Sequence, residues 1–381
     1  MNSKRVNRRE ALRVAATLAG GTLLSSALNG CRTTSEAGSL RRRPAPLTLP
    51  PVHVETDRVI RVVTGLRPYR PNGFVIRSEM YGDKLVVHNY GHGGAGVTLS
   101  WGCAELAVEN VLGSGRRDPV AVLGCGVIGL STAIVLQKNG FRPTIYAREV
   151  PPNTTSDVAG ASWFPGLLVD ETRRTAAFMQ QFVRVARLSH RRFQQLVGDE
   201  YGVYWRKQYF LADRQLPDPW QMEALPELFP DTRHLPPGTH PFRRPHVYLD
   251  NMMFIEMPMY LRALMRDFQQ FGGMITVREF HSIRDVLALP EAVIVNCTGL
   301  GARELFDDEE MTPLKGQLVV LLPQPEIQYA LTFDDDYYMF PRRDGILLGG
   351  THEEGIESLL PDPGATDRIL AAHRAAFSAL R

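Results

Sequence analysis

The sequence predicts an α/β fold in which a parallel βαβ unit is interleaved with a second, antiparallel sheet. The first observation is a glycine-rich turn at 124–129, which joins a short apolar strand to a helical pattern. The second is a set of later apolar runs at 203–211, 246–255, 316–322 and 337–349, which indicates the antiparallel sheet. The length of 381 residues allows one large domain or two interleaved ones.

Composition and charge exclude several classes of protein. The chain is 44% hydrophobic and 22% charged, as expected for a globular protein, and its net charge of +2 does not indicate a nucleic-acid partner. Its cysteines are Cys31, Cys103, Cys125 and Cys297, and none of them forms a CxxC pair. The sequence therefore predicts no metal site and no disulfide framework.

Residues 1–31 have the three parts of an export signal. Arg8 and Arg9 form a twin arginine, an apolar run follows at 14–28, and the sequence LNGC ends the segment at Cys31. The run is too short and too rich in Gly, Ser and Thr to span a bilayer comfortably. The pattern resembles a bacterial twin-arginine signal with a lipobox, and it predicts the periplasmic or extracellular side of the cell envelope, with Cys31 as a membrane tether. The alternative is an N-terminal helix without a targeting role, which would leave the protein in the cytoplasm.

Residues 32–56 lie between this signal and the predicted folded part at 57–381. They are rich in Ser, Gly, Arg and Pro. This composition predicts a flexible linker that has no core of its own.

A dinucleotide-binding motif follows the apolar strand VAVL at 120–123. Three glycines in GxGxxG spacing permit a tight turn, a close approach of the backbone to a pyrophosphate, and close packing of helix on strand. The N-terminus of the next helix offers free N–H groups to phosphates. The candidate cofactor-binding residues of this turn are Gly124, Cys125, Gly126, Val127, Ile128 and Gly129.

A second strand, TIYA at 144–147, completes the βαβ unit and ends at Arg148 and Glu149. Glu149 lies roughly 20 residues beyond Gly129, where an acid can accept hydrogen bonds from ribose hydroxyls, and Arg148 is a candidate partner for phosphate. The pattern predicts a Rossmann-type domain but does not choose between FAD and NAD. The alternative is a glycine-rich turn in an α/β protein that binds no nucleotide.

Four sequence blocks carry a resemblance to the D-amino-acid oxidase family of FAD enzymes, over roughly residues 57–381. The blocks are VAVLGCGVIGLSTA at 120–133, NTTSDVAGASWFP at 153–165, VIVNCTGLGA at 293–302, and GLRPYRP at 65–71 with HNYGHGGAGVTLSWGCA at 88–104. The last block is long and specific, whereas a lone GxGxxG turn is a weak signal. The resemblance implies FAD as the cofactor, in a Rossmann-type FAD-binding domain interleaved with an antiparallel-sheet substrate domain.

The order of the blocks differs from that of the family, in which the glycine turn comes first and GLRP…HNYGHGG comes last. The chain therefore resembles a circularly permuted oxidase whose old ends are joined by residues 113–118. Domain termini often lie close together at the surface, so a short loop can join them. The alternative is an artefactual exchange of the two pieces. The implied FAD-binding segments are about 57–112, 118–200 and 275–305, and the implied substrate-domain segments are about 201–274 and 306–381.

The resemblance implies oxidative deamination of D-amino acids, in which a hydride leaves Cα for the flavin. Oxygen is the implied acceptor, and the products are a 2-oxo acid, ammonia and hydrogen peroxide. Arg67 matches the arginine that binds the substrate carboxylate, a task suited to a planar guanidinium. Tyr338 matches a tyrosine that bonds the same carboxylate, although Tyr337 leaves the register open by one residue. Gly94 matches the glycine whose carbonyl receives the substrate amine, and Arg70 is expected to form a structural ion pair.

The resemblance also implies cofactor contacts outside the glycine turn. The hydroxyls of Thr154, Thr155 and Ser156 are expected at the pyrophosphate. His88 and His92 are expected to be structural, because the family reaction needs no general base. The further implied cofactor contacts are Gly93, Gly94, Gly96, Thr98, Gly160, Ala161, Phe280 and Thr298.

Several alternatives for the substrate stay open. Asp334, in an acidic run at 334–336, stands where some family members have a lid tyrosine. It could favour D-lysine or D-arginine, or it could belong to a solvated loop. The wider alternatives are an FAD oxidase or dehydrogenase acting on glycine, D-aspartate or another amine, electron transfer to an acceptor other than oxygen, and a non-catalytic FAD-binding lipoprotein. The sequence does not give the oligomeric state.

Overall fold

The computed structural model describes residues 47–334 and 337–380. The predicted export signal at 1–31, Cys31 included, and residues 32–46 of the predicted linker lie outside the described residues, as do Asp335 and Asp336. No helix in the described part of the chain is long and apolar enough to cross a membrane.

The described residues form two β-sheets with helices packed against them. The strands are β1 (Val59–Tyr69), β2 (Val75–Tyr81), β3 (Lys84–Tyr90), β4 (Val120–Leu123), β5 (Pro143–Ala147), β6 (Val203–Ala212), β7 (Arg233–Leu235), β8 (His246–Ile255), β9 (Met274–Val277), β10 (Val293–Asn296), β11 (Thr312–Leu321), β12 (Tyr329–Phe333), β13 (Tyr337–Arg342), β14 (Gly345–Gly349) and β15 (Glu353–Glu354). The helices are α1 (Gly96–Gly113), α2 (Val127–Lys138), α3 (Ala176–Gln195), α4 (Trp220–Ala224), α5 (Met257–Gln270), α6 (Ile283–Leu287), α7 (Ala302–Leu305) and α8 (Pro363–Ser378).

The smaller sheet has the strand order β2-β3-β10-β4-β5-β9. Strands β3, β10, β4, β5 and β9 run parallel, and β2 is antiparallel to β3 at the edge. Strands β10 and β4 are buried along their whole length, as expected for the centre of a parallel sheet with both faces covered. The carboxyl ends of the five parallel strands therefore lie along one edge of the sheet.

Helix α1 packs against both α2 and α3 beside this sheet. A close approach of α1 to α3 depends on Gly102, because a Cβ there would lie 2.0 Å from the carbonyl oxygen of Val185. The N–H of Gly102 also donates to the hydroxyl of Ser189, at 2.7 Å. This packing fixes α1 and α2, the two helices that begin at the carboxyl edge.

The larger sheet has the order β1-β11-β14-β13-β12-β6-β8-β7, with β15 also paired to β11. We predicted an antiparallel sheet, and the pairs are antiparallel except β12 and β6, which run parallel. The prediction is wrong for this pair because the chain visits the smaller sheet between β6 and β12. A parallel pair needs such a crossover, whereas a hairpin joins antiparallel neighbours.

Two elements belong to a different layer from the one predicted. Strand β1, expected in the FAD-binding segment 57–112, pairs with β11 in the larger sheet. Helix α5, expected in the substrate segment 201–274, packs on α2, where Gln137 donates to the carbonyl oxygen of Phe268 at 2.9 Å. Helix α5 is amphipathic, and an apolar face does not specify which layer will cover it. Strand β1 has neighbouring valines, Val62 and Val63, that pack in different core clusters, so its pattern does not indicate one sheet either.

Residues 47–58, which we call the N-terminal strap, are packed rather than free. Val52 and Val54 are 4% and 3% exposed, in a core cluster that includes residues of α8. The N–H of His53 donates to the side-chain oxygen of Gln324 at 2.8 Å, and the Gln324 amide donates back to the His53 carbonyl at 3.2 Å. The predicted flexible linker therefore does not extend through residues 47–56, because their apolar side chains find a hydrophobic surface.

Candidate active site

The predicted cofactor-binding segments meet at the carboxyl edge of the smaller sheet. In the order of the strands, the residues there are Gly93, Gly94, Gly96 and Thr98 after β3, Thr298 after β10, the glycine turn after β4, Arg148 and Glu149 after β5, and Phe280 after β9. Ligands of open parallel sheets bind beyond the carboxyl ends of the strands. The fold thus gathers segments that are far apart in sequence into one line.

The glycine turn has the close backbone packing that its spacing predicts. Gly124 has a φ of +104°, and a Cβ there would lie 2.6 Å from the carbonyl oxygen of Cys297. A Cβ at Gly129 would lie 2.0 Å from the carbonyl oxygen of Gly124. Between them, burial raises the pKa of the Cys125 thiol to about 12. The turn therefore presents backbone, and not a reactive side chain, to a ligand.

The N-terminus of α2 fits a phosphate-bearing ligand. The helix begins without a side-chain cap, and the N–H of Val127 donates to the hydroxyl oxygen of Ser156 at 3.0 Å. A Cβ at Gly126 would lie 3.0 Å from the same oxygen. The positive end of the helix dipole favours an anion here. Ser156 thus lies at the helix N-terminus, the place at which we expect a pyrophosphate.

The other two hydroxyls of this loop have different surroundings. Thr154 donates through its hydroxyl and its N–H to the carboxylate of Asp157, at 2.7 and 2.9 Å. This is a capping box, which holds the loop in shape. Thr155 is exposed. The structure therefore gives Thr154 a role within the loop and leaves the predicted pyrophosphate contact to its neighbours.

Thr298 and the residues that follow β5 and β9 lie along the same carboxyl edge of the smaller sheet. Thr298 donates its hydroxyl to Asn296 at 2.7 Å. Arg148 and Glu149 are exposed, and Arg148 pairs with Glu279 at 3.5 Å. Phe280 is half-buried against Tyr146, with the ring centroids 6.2 Å apart. The face of Phe280 is also covered by the guanidinium of Arg278, 4.9 Å from the ring centroid.

The loop at 159–168 connects the two sheets. Ala161 has a φ of +57°, a conformation that is costly for a residue other than glycine. Its carbonyl accepts the N–H of Ile255 at 2.9 Å. Thr98 donates its hydroxyl to the carbonyl of Phe164, at 3.3 Å. The Thr98 hydroxyl is therefore bonded to this loop, and the predicted contact of position 98 with the flavin stays a prediction.

Arg67 and Tyr338 come from β1 and β13 and lie side by side. The Arg67 guanidinium donates to the carbonyl oxygen of Thr351 at 3.2 Å and is also hydrogen-bonded to the Tyr338 hydroxyl. Burial raises the pKa of Tyr338, and the adjacent Arg67 acts in the opposite sense without cancelling this shift. The hydroxyl therefore stays protonated at neutral pH. The pair presents a planar cation and a hydroxyl donor together, a combination suited to a carboxylate.

The two adjacent tyrosines of β13 face opposite sides of the larger sheet. Tyr338 lies over Gly349 and beside Gly160, where a Cβ would lie 3.2 Å from the Tyr338 ring. Tyr337 stacks on Phe333 at 5.6 Å and meets His373 edge-on at 5.7 Å. The structure therefore selects Tyr338, and not Tyr337, as the partner of Arg67.

Gly93 and Gly94 allow the 159–168 loop to approach the start of α1. A Cβ at Gly93, which has a φ of +53°, would lie 2.2 Å from the carbonyl oxygen of Leu167. The N–H of Gly94 donates to this oxygen at 2.9 Å. Gly94 itself is exposed. Its lack of a side chain leaves its carbonyl open to a small polar group.

The charged and titratable groups around this edge have structural roles. Burial lowers the pKa of His88 to about 4 and the pKa of His92 to about 3, so both rings are neutral at physiological pH. His92 stacks on Phe74 with centroids 5.6 Å apart. Arg70 pairs with Asp308 and Glu310 at 3.0 and 2.8 Å. These observations agree with the structural roles that we predicted for His88, His92 and Arg70.

Sequence reasoning missed the glycines beneath the substrate pair. A Cβ at Gly316 would lie 2.6 Å from the Arg67 guanidinium, and one at Gly349 would lie 2.1 Å from the Tyr338 ring. An isolated glycine in a strand pattern, as in LKGQLVV, is a recognised sign that another group approaches the backbone closely. That sign could have identified Gly316, although it does not name the group.

A glycine turn with dinucleotide-binding geometry on one sheet, together with an arginine–tyrosine pair on the other, is the combination expected of a dinucleotide-dependent oxidoreductase. A family model described as "FAD dependent oxidoreductase" (DAO) matches residues 18–110 and 119–381. The chain belongs to this family, and FAD is its cofactor.

Known relatives agree with this membership. A D-amino-acid oxidase of Rubrobacter xylanophilus is 34% identical over 257 residues, which are 65% of this chain and 74% of that protein. A D-amino-acid oxidase of Streptomyces coelicolor is 33% identical over 269 residues, covering 69% and 79% of the two chains. Among solved structures, the FAD-bound L-α-glycerophosphate oxidase of Mycoplasma pneumoniae has a TM-score of 0.51 at 16% identity, over 70% of this chain and 80% of that one. This last likeness shows the fold alone.

The residues at the carboxyl edge fit FAD. The bare turn at Gly126 and the uncapped N-termini of α2 and α1 provide space and N–H groups for phosphate and for acceptor oxygens of a ring. When bound, FAD supplies a two-electron acceptor. The hydroxyl of Ser156 and the first-turn N–H groups of α2 would hold it.

Proposed function

We propose that the protein catalyses the oxidative deamination of D-amino acids, with oxygen as electron acceptor. The observation that carries the proposal is the Arg67–Tyr338 pair, which presents a guanidinium and a hydroxyl donor side by side. A carboxylate can accept from both groups, and the amine can donate to the Gly94 carbonyl. This two-point hold orients the Cα–H bond, which is the protein's main task when the cofactor carries out the chemistry. The relatives named D-amino-acid oxidases support the D configuration.

The acidic run at 334–336 gives little support for a preference for basic side chains. Asp334 is paired with Arg244 at 2.7 Å, and Arg244 also pairs with Asp213. A carboxylate that already has a guanidinium partner attracts a second cation weakly. We therefore expect neutral D-amino acids to be oxidised at least as well as D-lysine.

The test is made on the protein without residues 1–31. Its flavin absorbance is recorded, and D- and L-amino acids are added one at a time in the absence of oxygen. Bleaching by D-isomers and not by L-isomers, followed by peroxide formation on admission of air, is the expected result. A yellow protein that no amino acid bleaches would contradict the proposal. Bleaching only by glycine or by D-aspartate would narrow the substrate to that alternative.

We further propose that the chain is a circular permutation of the family order. The alignments with relatives span 256 to 271 residues, close to the 263 residues of segment 119–381 (381 − 119 + 1). A collinear comparison of a permuted chain would stop at such a boundary. A rearranged chain in which 119–380 precedes 47–112 should bind FAD and oxidise the same substrates. Failure of this chain to fold, beside an active natural chain, would argue against the permutation.

Export and lipidation of residues 1–31 are also proposals. They are supported by the twin arginine and by the LNGC sequence. Expression in a bacterium, followed by cell fractionation, should place the protein in the membrane fraction outside the cytoplasm. Replacing Arg8 and Arg9 by lysine should retain it inside the cell, and Cys31→Ala should release it from the membrane. A cytoplasmic wild-type protein would contradict the proposal.

A further inference from the structure

We infer that Gly316 is a positioning residue for Arg67; the inference rests on the proposed function. Gly316 lies in β11, the strand that pairs with β1. A Cβ at Gly316 would lie 2.6 Å from both terminal nitrogens of Arg67 and 2.8 Å from Cζ. Because all three distances are far below van der Waals contact, the guanidinium lies flat on the Gly316 backbone.

The register of β1 and β11 explains how the side chain reaches this place. Arg67 is directly opposite Leu314, and Gly316 is opposite Gly65. The Arg67 side chain therefore extends diagonally across the strand pair, towards the position at which Gly65 of β1 lies opposite Gly316 of β11. Diagonal neighbours of an antiparallel pair are within reach of a long side chain. The guanidinium occupies the space over Gly316, whereas the space over Gly65 is filled by Val158, whose side chain would lie 3.3 Å from a Cβ there.

Tyr338 lies on a glycine in the same way. Its cross-strand partner on β14 is Gly349, and a Cβ there would lie 2.1 Å from Cζ of the tyrosine ring. Both polar groups therefore rest at the level of the sheet backbone. Their mutual hydrogen bond, and that from Arg67 to the Thr351 carbonyl, depend on this common level.

The backbone of Gly316 does not itself require glycine. Its φ lies outside the left-handed region, in contrast to Gly345 on β14, which has a φ of +146°. Alanine can adopt the conformation of Gly316 without strain. The neighbouring Lys315 points to the other face, where it donates to the carbonyl of Leu360 at 2.8 Å. The close contact that a methyl group at 316 would make is therefore with Arg67.

The experiment is a double-mutant cycle on Gly316→Ala and Arg67→Ala. In Gly316→Ala, the added methyl group should displace the Arg67 guanidinium from the sheet backbone. We expect kcat/KM for D-alanine to fall by roughly 10- to 100-fold, mostly through KM, as expected when hydrogen bonds to a charged group are lost. The dissociation constant of propionate, a carboxylate without an amine, should rise by a similar factor in a titration of the flavin spectrum. FAD affinity should stay within twofold. In the Arg67→Ala background, Gly316→Ala should change kcat/KM by less than twofold.

Each other outcome overturns the inference. An unchanged KM in Gly316→Ala would show that the guanidinium does not depend on the glycine. An equal loss in both backgrounds, or a loss of FAD affinity, would show that the glycine supports the fold. Gly113→Ala is the matched control, because a Cβ there meets nothing within 4 Å. Failure of the proposed function looks different, since wild-type holoenzyme would then not be bleached by any amino acid.

Discussion

At the scale of single residues, the two tyrosines of β13 provide a matched pair. Tyr338 meets Arg67, whereas Tyr337 packs against Phe333 on the other face. Tyr338→Phe removes one donor to the substrate carboxylate, so we expect kcat/KM for D-alanine to fall by about 10-fold, a loss of ~1.4 kcal/mol. Tyr337→Phe should leave it unchanged. Steady-state assays of both variants check this, and equal effects would contradict the assignment.

His92 gives a prediction for stability against pH. Burial lowers its folded pKa to about 3, below the unfolded value near 6.5. The unfolded chain therefore binds one more proton between about pH 3 and 6.5. The contribution of His92 to the free energy of unfolding has its full value above this range. It should fall by about 1.4 kcal/mol per pH unit as the pH decreases through the range.

His92→Phe keeps the stacking on Phe74 and removes the titrating group. Urea unfolding at pH 5 and pH 7 should give a difference in unfolding free energy that is smaller by about 2 kcal/mol in the variant. An identical difference in wild type and variant would show that the ring is protonated in the folded protein.

The predictability of the site differs from residue to residue. Arg67 could be chosen from sequence because its block is specific, and Tyr338 could be narrowed to one of two adjacent tyrosines; the chemistry of both suits a carboxylate. The partner of the Thr98 hydroxyl could not be predicted, because it is the Phe164 carbonyl of a distant loop. Gly316 was missed for a related reason, since its role depends on the β1–β11 register.

At the scale of elements, α8 holds the strand that carries Tyr338. His373 is fully buried, with Nδ1 2.7 Å from the Ile369 carbonyl oxygen and Nε2 3.0 Å from that of Tyr338. Burial lowers the pKa of His373 to about 4, so the ring is neutral and donates to one of the two carbonyls at a time. Helix α8 therefore contacts the candidate site through the Tyr338 backbone.

His373→Phe should keep the ring contacts with Phe333 and Tyr337 and lose this hydrogen bond. We expect the free energy of unfolding to fall by about 1 kcal/mol and KM for D-alanine to rise severalfold. Arg368→Ala, which removes an exposed ion pair of the same helix with Asp362, should change neither quantity measurably. Equal effects of the two variants in denaturant unfolding and steady-state assays would contradict a specific role for His373.

The existence of the helices and strands was predicted better than the partners with which they pair or pack. The glycine turn, its flanking strand and helix, and the runs of the larger sheet all follow local patterns. The parallel pairing of β12 with β6, and the places of β1 and α5, depend on the route of the chain between the sheets. Periodicity shows which face of an element is apolar, but it does not show which partner covers that face.

At the scale of the whole molecule, the N-terminal strap brings the two ends of the described chain together, because it packs against α8. Tyr329 donates its hydroxyl to the Pro50 carbonyl at 2.8 Å, and Arg374 of α8 donates to that of Val54 at 3.0 Å. In the proposed permuted order, α8 has lost its covalent link to β1. The strap, which leads directly into β1 and packs on α8, provides a non-covalent connection at that place.

Deleting the strap should therefore destabilise the whole protein. Val52 and Val54 are almost completely buried, and each contributes ~1.5–3 kcal/mol of burial free energy. Removal of His53 would also leave the buried Gln324 without its two backbone partners. A chain that begins at residue 57 should unfold at a lower urea concentration than one that begins at residue 47, by roughly 3–6 kcal/mol in unfolding free energy. The chain that begins at 47 is the control and should match the protein without residues 1–31. Equal midpoints for the chains that begin at 47 and 57 would mean that α8 stays in place without the strap, and that β1–β11 pairing alone holds the two ends of the chain.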